Sequence, residues 1–229
     1  MSGLRVLLMG YGRMGRLVES LAPEAGVDIV GRVDIDNVDR PDEWPTADVA
    51  IDFSIASAVP ANARRLAARG THLVIGTTGW QDEEETLRRE LAAQPIGVVF
   101  APNFALGVNL FVALVADAAA RLADRPEFGA WIHELHHRAK RDAPSGTAIA
   151  IRAAMESAGY GLPIDVASTR AGSIPGTHTV GFDGPSDTVT LTHSVRDRDV
   201  FARGALEAAR WLKGRRGWFT MRDMLAIED

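Results

Sequence analysis

The first hundred residues alternate between short apolar runs and amphipathic segments. The apolar runs predict five strands, at residues 4–9, 27–33, 48–53, 71–75 and 97–100. Segments of helical spacing follow the first, third and fourth runs, and Gly70 is placed to end the second of these helices. Strands that alternate with helices predict a parallel α/β sheet with right-handed connections.

The pattern changes after about residue 105. We predict a long apolar helix from Val108 to Leu122, another from Ala148 to Ala158 and a last one over residues 202–212. Polar and apolar residues alternate from Thr177 to Val195 on either side of D-G-P-S, which predicts an antiparallel hairpin. The chain is therefore expected to divide into an α/β half and an α+β half.

Composition narrows the classes of protein that remain. The chain has 229 residues, 46% of them hydrophobic, a formal charge of −5 and no cysteine. Its net charge gives no reason to expect a nucleic-acid or membrane partner. The lack of cysteine excludes disulfides, thiolate catalysis and cysteine zinc sites. Because the first apolar run is too short for a signal peptide, we expect a cytoplasmic protein.

A glycine-rich turn joins the first predicted strand to the first helix. It reads G-Y-G-R-M-G from Gly10 to Gly15, the G-x-G-x-x-G spacing that binds a dinucleotide. One glycine allows the tight turn, one lets the backbone approach a pyrophosphate, and one packs the helix on the strand. Asp34 ends the second strand about 20 residues later, where an acid binds the cofactor ribose. We therefore predict a Rossmann-type domain that binds NADH or NADPH.

The residues around Asp34 bear on the choice between these two cofactors. A carboxylate accepts hydrogen bonds from the ribose hydroxyls and repels the 2′-phosphate of NADPH. The next residue, Ile35, carries no charge to attract that phosphate, whereas Arg32 lies on the same strand face as Asp34. We expect NADH to be used at least as well as NADPH.

Small polar residues follow three other strands of the predicted sheet. They are Ser54 after the third strand, Gly76, Thr77 and Thr78 after the fourth, and Ala101, Pro102, Asn103 and Phe104 after the fifth. Ligands of open α/β sheets bind outside the carboxyl ends of the strands, so these residues are candidates to line the nicotinamide end of the site. Such residues also favour ordinary turns, and the pattern alone leaves both interpretations open.

The segment from His133 to Lys140, H-E-L-H-H-R-A-K, contains the H-E-x-x-H pattern of zinc metalloproteases. That interpretation needs a helix, but Gly129 and nearby prolines limit any helix to a short span. The string W-I-H-E-L-H-H is equally typical of a strand. No recognisable third ligand follows, and we expect no metal.

The same segment can instead be a cationic cluster for an anionic substrate. It holds His136, His137, Arg138, Lys140 and Arg141. In the following D-A-P-S-G-T, Ser145 or Thr147 can cap the next helix, whose N-terminus can hold an anion. This arrangement suits a substrate with carboxylates and a histidine as general acid. A solvated basic loop with an ordinary helix cap is the alternative.

The string from Glu134 to Thr147, E-L-H-H-R-A-K-R-D-A-P-S-G-T, resembles the signature of the dihydrodipicolinate reductase family, E-[AL]-H-H-x-x-K-x-D-A-P-S-G-T. Further family strings occur in order over nearly the whole chain: G-x-G-R-M-G, D-F-S, G-T-T-G, A-x-N-F-x-x-G-V-N, R-A-G-x-I-x-G-x-H, F-A-x-G-A and G-W-F-T-M-R-D. The resemblance implies NAD(P)H-dependent reduction of a cyclic unsaturated dicarboxylate in the diaminopimelate route to lysine.

The resemblance also implies roles for individual residues. His136 would supply a proton, and Lys140 would act as a second donor that binds a carboxylate. The substrate carboxylates would be held by His137, Ser145, Gly146 and Thr147. The family's cofactor positions are occupied by Gly10, Tyr11, Gly12, Arg13, Met14, Gly15, Asp34, Gly76, Thr77, Thr78, Ala101, Pro102, Asn103, Phe104 and Arg198. His133 lies outside the signature and is expected to be a bystander, and Glu134 has no assigned role.

The family fold joins a Rossmann-type domain to an α+β domain whose mixed or antiparallel sheet drives oligomerisation. It implies a first domain of residues 1–105 and 204–229, a second of residues 106–203, and a homo-oligomer, either a tetramer or a dimer. The chain departs from the family pattern in three places: the glycine turn is one residue shorter, Ile35 replaces a basic residue, and the segment between Thr147 and Arg170 is abbreviated.

Overall fold

The computed structural model describes residues 3–227, which form two compact units. Within that range the first unit comprises residues 3–106 and 199–227, and the second comprises residues 107–198. The chain thus returns to the first unit at Asp199 and not at the predicted residue 204. The reason is that the last long helix begins at Asp199, three residues before its predicted start at Ala202.

The strands, in chain order, are β1 (Leu4–Met9), β2 (Val27–Val33), β3 (Val49–Asp52), β4 (His72–Ile75), β5 (Gly97–Phe100), β6 (Gly129–His136), β7 (Ile164–Arg170), β8 (Thr177–Asp183), β9 (Thr188–Ser194) and β10 (Gly217–Phe219). The α-helices are α1 (Arg13–Leu21), α2 (Val59–Ala67), α3 (Glu84–Leu91), α4 (Leu106–Leu122), α5 (Gly146–Ser157), α6 (Asp199–Leu212) and α7 (Met221–Met224). Among the described residues, no helix is both long and apolar enough to cross a membrane.

The first unit is built on a six-stranded parallel sheet of order β10-β5-β4-β3-β1-β2. Alternate residues of β1 enter different cores: Val6 and Leu8 pack with α1 and α6, whereas Leu7 and Met9 pack with α2 and α3. Burial on both faces explains why these strands read as continuous apolar runs. Because the strands are parallel, their carboxyl ends lie at one edge of the sheet.

The second unit is built on a four-stranded mixed sheet of order β7-β6-β8-β9. The strands β6 and β7 are parallel, whereas β6 with β8 and β8 with β9 are antiparallel. One face packs against α4 and α5 through residues such as Ile132, Val180 and Ile151. The predicted fold class, a Rossmann-type domain with an α+β domain, is confirmed. The edge strand β7 was not predicted, because several of its residues are exposed and its alternation is weak.

Candidate active site

The glycine turn between β1 and α1 leaves room for a ligand at one of its three glycines. Gly10 has a φ of +87°, and a Cβ there would lie 2.5 Å from the carbonyl oxygen of Phe53. A Cβ on Gly15 would lie 2.2 Å from the carbonyl oxygen of Gly10. At Gly12, the N-cap of α1, a Cβ would meet nothing within 4 Å. Two glycines therefore serve packing, and Gly12 leaves open space at a helix N-terminus, which fits a pyrophosphate.

Arginines surround the surface beside this turn. A cavity of about 660 Å³ is lined by Gly12, Arg13, Arg16, Leu17 and Ser20. The guanidinium groups of Arg16 and Arg32 lie 5.5 and 5.3 Å from the ring centre of Tyr11. The predicted cofactor residues Arg13 and Tyr11 thus belong to a cationic surface, and the half-buried Met14 packs against the core.

The turn after β2 orients Asp34. Its Oδ1 accepts a hydrogen bond of 3.0 Å from the backbone N–H of Asp36, and its own N–H donates to Asn37 Oδ1 at 2.9 Å. The neighbouring Ile35 is 89% exposed. Arg32, the only basic residue that the sequence placed beside Asp34, donates to Glu19. The acid at the ribose-binding position is therefore ordered, and the arginine beside it already has a carboxylate partner.

A buried carboxylate joins the carboxyl ends of β3 and β4. Asp52 is 2% exposed and accepts hydrogen bonds from Ser54 N at 2.8 Å, Ser54 Oγ at 2.6 Å, Asn62 Nδ2 at 3.3 Å and Thr77 Oγ1 at 3.0 Å. Burial raises the pKa of Asp52 despite these donors. Both the hydroxyl and the backbone N–H of the predicted residues Ser54 and Thr77 donate to Asp52, so this carboxylate and its backbone carbonyl order the two residues at the edge of the sheet.

The remaining predicted cofactor residues of the first unit lie at the same edge of the sheet. Gly76 packs on the ring of Phe53, where a Cβ would come within 2.1 Å. Buried Ala101 and Phe104, half-buried Asn103, and exposed Pro102 and Thr78 complete the set. Arg198 differs from all of these, because it is an exposed residue of the second unit.

The candidate catalytic histidine lies on a strand of the second unit. Strand β6 directs Glu134 and His136 to its buried face, while His133 lies on the other face with Nε2 2.9 Å from Thr169 Oγ1. The helix that H-E-x-x-H requires is therefore not formed, because residues 133–136 are extended.

Glu134 is the centre of a buried hydrogen-bond network. Its Oε1 accepts from Arg170 Nη2 at 2.6 Å and from the backbone N–H of Ser145 at 3.2 Å. Its Oε2 accepts from Arg170 Nη1 at 2.9 Å and from Nδ1 of His136. Burial opposes ionisation of Glu134, but hydrogen bonds from Arg170, Ser168 and His136 outweigh it and lower the pKa of Glu134 to about 2. The carboxylate is therefore ionised at any physiological pH.

His136 is buried between this carboxylate and a second histidine. It is 8% exposed, and its ring lies edge-on to His178 with the ring centres 5.1 Å apart. Burial lowers the pKa of His136 more than the contact with Glu134 raises it. The Nδ1 atom is engaged by Glu134, so Nε2 is the atom that can exchange a proton with a substrate.

The side chain of Ser145 caps α5 and contacts His178. Its Oγ accepts from the backbone N–H of Ala148 at 3.1 Å and lies 2.9 Å from His178 Nε2. Burial lowers the pKa of His178 to about 4, so the ring is neutral. Nδ1 of His178 is buried without a partner, which is less costly for an acceptor than for a donor. We therefore assign the hydrogen to Nε2, which leaves the hydroxyl hydrogen of Ser145 to donate elsewhere.

The loop between β6 and α5 carries the other predicted substrate residues. Lys140 Nζ donates to both carboxylate oxygens of Asp142 at 2.8 Å, and this contact lowers the pKa of Asp142. His137 and Thr147 are half-buried, and Gly146 is exposed at the start of α5. The second unit thus brings together a proton donor, a lysine and a capped helix N-terminus.

Glu134, His136 and His178 offer metal-ligand atoms within 4.8 Å of one another. This set does not fit a resident metal ion. Each oxygen of Glu134 already accepts a hydrogen bond from the guanidinium of Arg170. The positive charge of this guanidinium would repel a metal cation. The three side chains are better described as a hydrogen-bonded acid–base cluster.

Three residues of this site, Glu134, Arg170 and His178, were not assigned a role from the sequence. Glu134 could have been found from the strand pattern, because residues i and i+2 share a face of a strand. Arg170 and His178 belong to the family string R-A-G-x-I-x-G-x-H, but the string alone indicated no role for either residue. Strand pairing brings them to the cluster, with Arg170 opposite His136 on β7 and His178 opposite Glu134 on β8.

Comparisons with known proteins match both halves of the chain to one family. Residues 4–104 match the model of the dihydrodipicolinate reductase N-terminus, and residues 107–225 match that of its C-terminus. The chain is 40% identical to the 4-hydroxy-tetrahydrodipicolinate reductase of Acidiphilium cryptum, over 98% of both chains. It is 35% identical to that of Christiangramia forsetii, over 97% of this chain and 98% of the other.

A solved structure shares the fold. Dipicolinate-bound dihydrodipicolinate reductase from Paenisporosarcina sp. TG-14 superimposes with a TM-score of 0.81 at 21% identity, over 97% of this chain and 99% of the other. Both halves of the chain are thus matched by models of one family, and relatives with 35% and 40% sequence identity align with almost the whole chain. The chain belongs to the dihydrodipicolinate reductase family.

Proposed function

We propose that this protein is a 4-hydroxy-tetrahydrodipicolinate reductase, which uses NADH or NADPH to reduce a cyclic unsaturated dicarboxylate to tetrahydrodipicolinate in the diaminopimelate route to lysine. The observation that carries the proposal is the buried Glu134–His136 pair beside a serine-capped helix N-terminus, on a chain that matches reductases of that name over 97–98% of its length. A proton donor and an anion-binding helix end are what the reduction of a dicarboxylate requires.

His136 is the proton donor in this proposal. The nicotinamide, when bound, supplies a hydride to one atom of an unsaturated bond, and the electron pair that develops at the other atom takes up a proton. That proton comes from the His136 imidazolium, which becomes a neutral imidazole. The donor atom is Nε2, because Nδ1 stays hydrogen-bonded to Glu134. A histidine whose pKa lies below its ordinary value gives up this proton readily.

Lys140 and the start of α5 bind the substrate carboxylates. Lys140 is paired with Asp142, whose side chain is 58% exposed, so a substrate carboxylate can replace this partner at small cost. The N–H groups of Gly146 and Thr147 belong to the first turn of α5, where the helix dipole favours an anion. The hydroxyl of Ser145 supplies a further donor, and His137, the residue after β6, is a further proposed carboxylate ligand.

The first unit holds the cofactor. Gly12 and the N-terminus of α1 take the pyrophosphate, Asp34 takes the ribose, and Ser54 and Thr77 lie at the nicotinamide end. NADH is used at least as well as NADPH, since Arg32 is committed to Glu19 and no basic side chain follows Asp34. Arg198 is a further proposed cofactor residue.

The reaction is tested by coupling the purified protein to a dihydrodipicolinate synthase and following the oxidation of NADH. We expect turnover by the wild-type protein and a fall of about 10²–10⁴-fold in kcat for His136→Ala, with cofactor binding retained. Lys140→Ala lowers kcat and raises KM. His133→Ala, on the other face of the same strand, is the matched control and keeps wild-type rates. No turnover with either cofactor would refute the proposed function.

Cofactor preference is tested at one exposed position. Ile35→Arg places a guanidinium beside Asp34 without disturbing the core, because Ile35 is 89% exposed. We expect this change to raise kcat/KM for NADPH about tenfold or more and to leave the value for NADH within about threefold. A wild-type protein that already prefers NADPH strongly would contradict the assignment.

We also expect a homo-oligomer, a tetramer or a dimer. The face of the second sheet that lies opposite α4 and α5 carries the half-buried apolar side chains of Trp131 and Leu135. Light scattering coupled to size-exclusion chromatography measures the state directly. A monomer at micromolar concentration would contradict this expectation.

A further inference from the structure

The carboxylate of Glu134 is saturated with hydrogen-bond donors. It accepts at least four hydrogen bonds: two from Arg170, one from the backbone of Ser145 and one from His136. A carboxylate has about four acceptor sites, so no site is left for a proton or a substrate group. Glu134 therefore acts on the reaction through the residues it holds, His136 above all.

Arg170 changes what this carboxylate does to the histidine. An unpaired carboxylate in contact with an imidazole stabilises the imidazolium strongly and makes it a weak acid. Here Arg170 forms a bidentate salt bridge with the same carboxylate, with Nη2–Oε1 and Nη1–Oε2 distances of 2.6 and 2.9 Å, and Glu134 is fully buried. The guanidinium repels a positive charge on His136 while Glu134 attracts it, so Arg170 offsets part of the attraction that the carboxylate exerts on the imidazolium.

The other charged and titratable groups around His136 come from three further segments. They are His178 on β8, His193 next to it on β9, and Lys140 with Asp142 on the loop after β6. Burial keeps both of these histidines neutral by lowering the pKa of each. Lys140 and Asp142 carry opposite charges and contact each other. Lys140 lowers the pKa of His136 more than Arg170 does, but Arg170 is the cation that pairs directly with the Glu134 carboxylate.

We propose that Glu134 and Arg170 are a pair of positioning residues: Glu134 holds the His136 ring so that Nε2 carries the transferable proton, and Arg170 offsets part of the charge of that carboxylate so that the imidazolium remains a good acid. The inference rests on the proposed function, because it explains how the proton donor is kept ready. Arg170 has a second link to the site, since its Nη2 donates to the carbonyl of Asp142 at 2.7 Å.

The pH dependence of kcat/KM separates this role from a merely structural one. The limb of interest is the fall of kcat/KM at high pH, where the proton donor loses its proton. Glu134→Gln removes the negative charge, and we expect this limb to move about one pH unit or more to lower pH. Arg170→Met leaves the carboxylate uncompensated, and we expect the same limb to move about one pH unit or more to higher pH. The double variant restores the charge balance and returns the limb to near its wild-type position, although its rate stays low.

Two further variants serve as controls. Arg170→Lys keeps the positive charge and leaves the limb in place even if the geometry is weakened. Arg152→Met removes an arginine from an exposed pair with Glu156 on α5, and it leaves both the rate and the limb unchanged. Single variants that lower the rate without moving the limb, or that move it in the same direction, would overturn the inference.

A second measurement does not depend on turnover. In protein labelled with ¹³C at histidine Cε1, the His136 resonance is identified by its loss in His136→Gln. Its titration should move to lower pH in Glu134→Gln and to higher pH in Arg170→Met. If the wild-type protein does not reduce the dicarboxylate, the proposed function fails while this titration still decides the inference. If turnover is normal and neither the titration nor the limb moves as expected, the inference alone fails.

Discussion

The free energy of unfolding of the Glu134→Gln variant should depend less on pH than that of the wild-type protein. The folded pKa of Glu134 is about 2, below its ordinary value of 4.5, and this difference corresponds to about 3 kcal/mol of folding stability. Since the folded value is the lower one, the contribution is complete above the unfolded pKa and is lost as the pH falls through the folded pKa. A glutamine does not titrate and lacks this contribution at every pH.

The size of the effect follows from the same two pKa values. At pH 6 nearly all of the ~3 kcal/mol is present, and at pH 3 about 2 kcal/mol of it has been lost. The gap in unfolding free energy between wild type and Glu134→Gln should therefore narrow by about 2 kcal/mol between these pH values. At pH 6 the variant should be about 3–5 kcal/mol less stable, because its amide leaves the Arg170 charge buried without a carboxylate.

Urea unfolding of both proteins at pH 6 and pH 3, followed by far-UV circular dichroism, measures this gap. Glu156→Gln is the matched control, because Glu156 forms an exposed i,i+4 pair with Arg152 on α5. Exposed pairs of this kind contribute little, so the control's gap should be small at both pH values. A Glu134→Gln gap that stays constant from pH 6 to pH 3 would show that Glu134 does not hold the low pKa on which the reasoning depends.

Two further predictions concern the geometry around the proton donor. His178→Leu removes the Nε2–H that orients the Ser145 hydroxyl, so kcat/KM for the dicarboxylate should fall about tenfold, and His178→Gln should restore part of it; unchanged kinetics in steady-state assays would contradict the assigned tautomer. Gly176→Ala places a Cβ 3.0 Å from His136 Nε2, and we expect kcat to fall about 10–100-fold while NADH binding, measured by fluorescence, is kept. Gly172 also has a positive φ, but a Cβ there would meet nothing within 4 Å, so Gly172→Ala is the control and should retain most activity. Equal losses of activity in the two variants would point to backbone strain alone.

The first unit was predictable because its signals are local. Its parallel strands are buried on both faces and appear as apolar runs, and the glycine turn has a fixed spacing. Helix ends were less predictable: α5 was expected from Ala148 but begins at Gly146, where the cap is set by Ser145. The edge strand β7 was missed because an edge position needs little burial and leaves a weak pattern.

The candidate site was only partly predictable, because its charges meet through strand pairing. The alternation of β6 placed Glu134 beside His136, but Arg170 lies 36 residues after Glu134, and no spacing along the chain relates the two. They meet because β7 is the parallel neighbour of β6, with Arg170 opposite His136. A shift of this register by one residue would move Arg170 to the other face and leave a buried carboxylate without its cation.

The same reasoning explains why the abbreviated segment between Thr147 and Arg170 is compatible with an active enzyme. What the site requires from this segment is the capped start of α5 and the register of β7. Residues between these two points adjust the length of α5 and of its loop, and the hydrogen bonds described for the Glu134 carboxylate come instead from Arg170, His136 and the N-cap Ser145. The register, however, is tied to the charge balance, because Arg170 at the end of β7 must reach both the Glu134 carboxylate and the carbonyl of Asp142. Shortening is therefore tolerated upstream of β7, whereas a single-residue deletion within β7 should abolish activity.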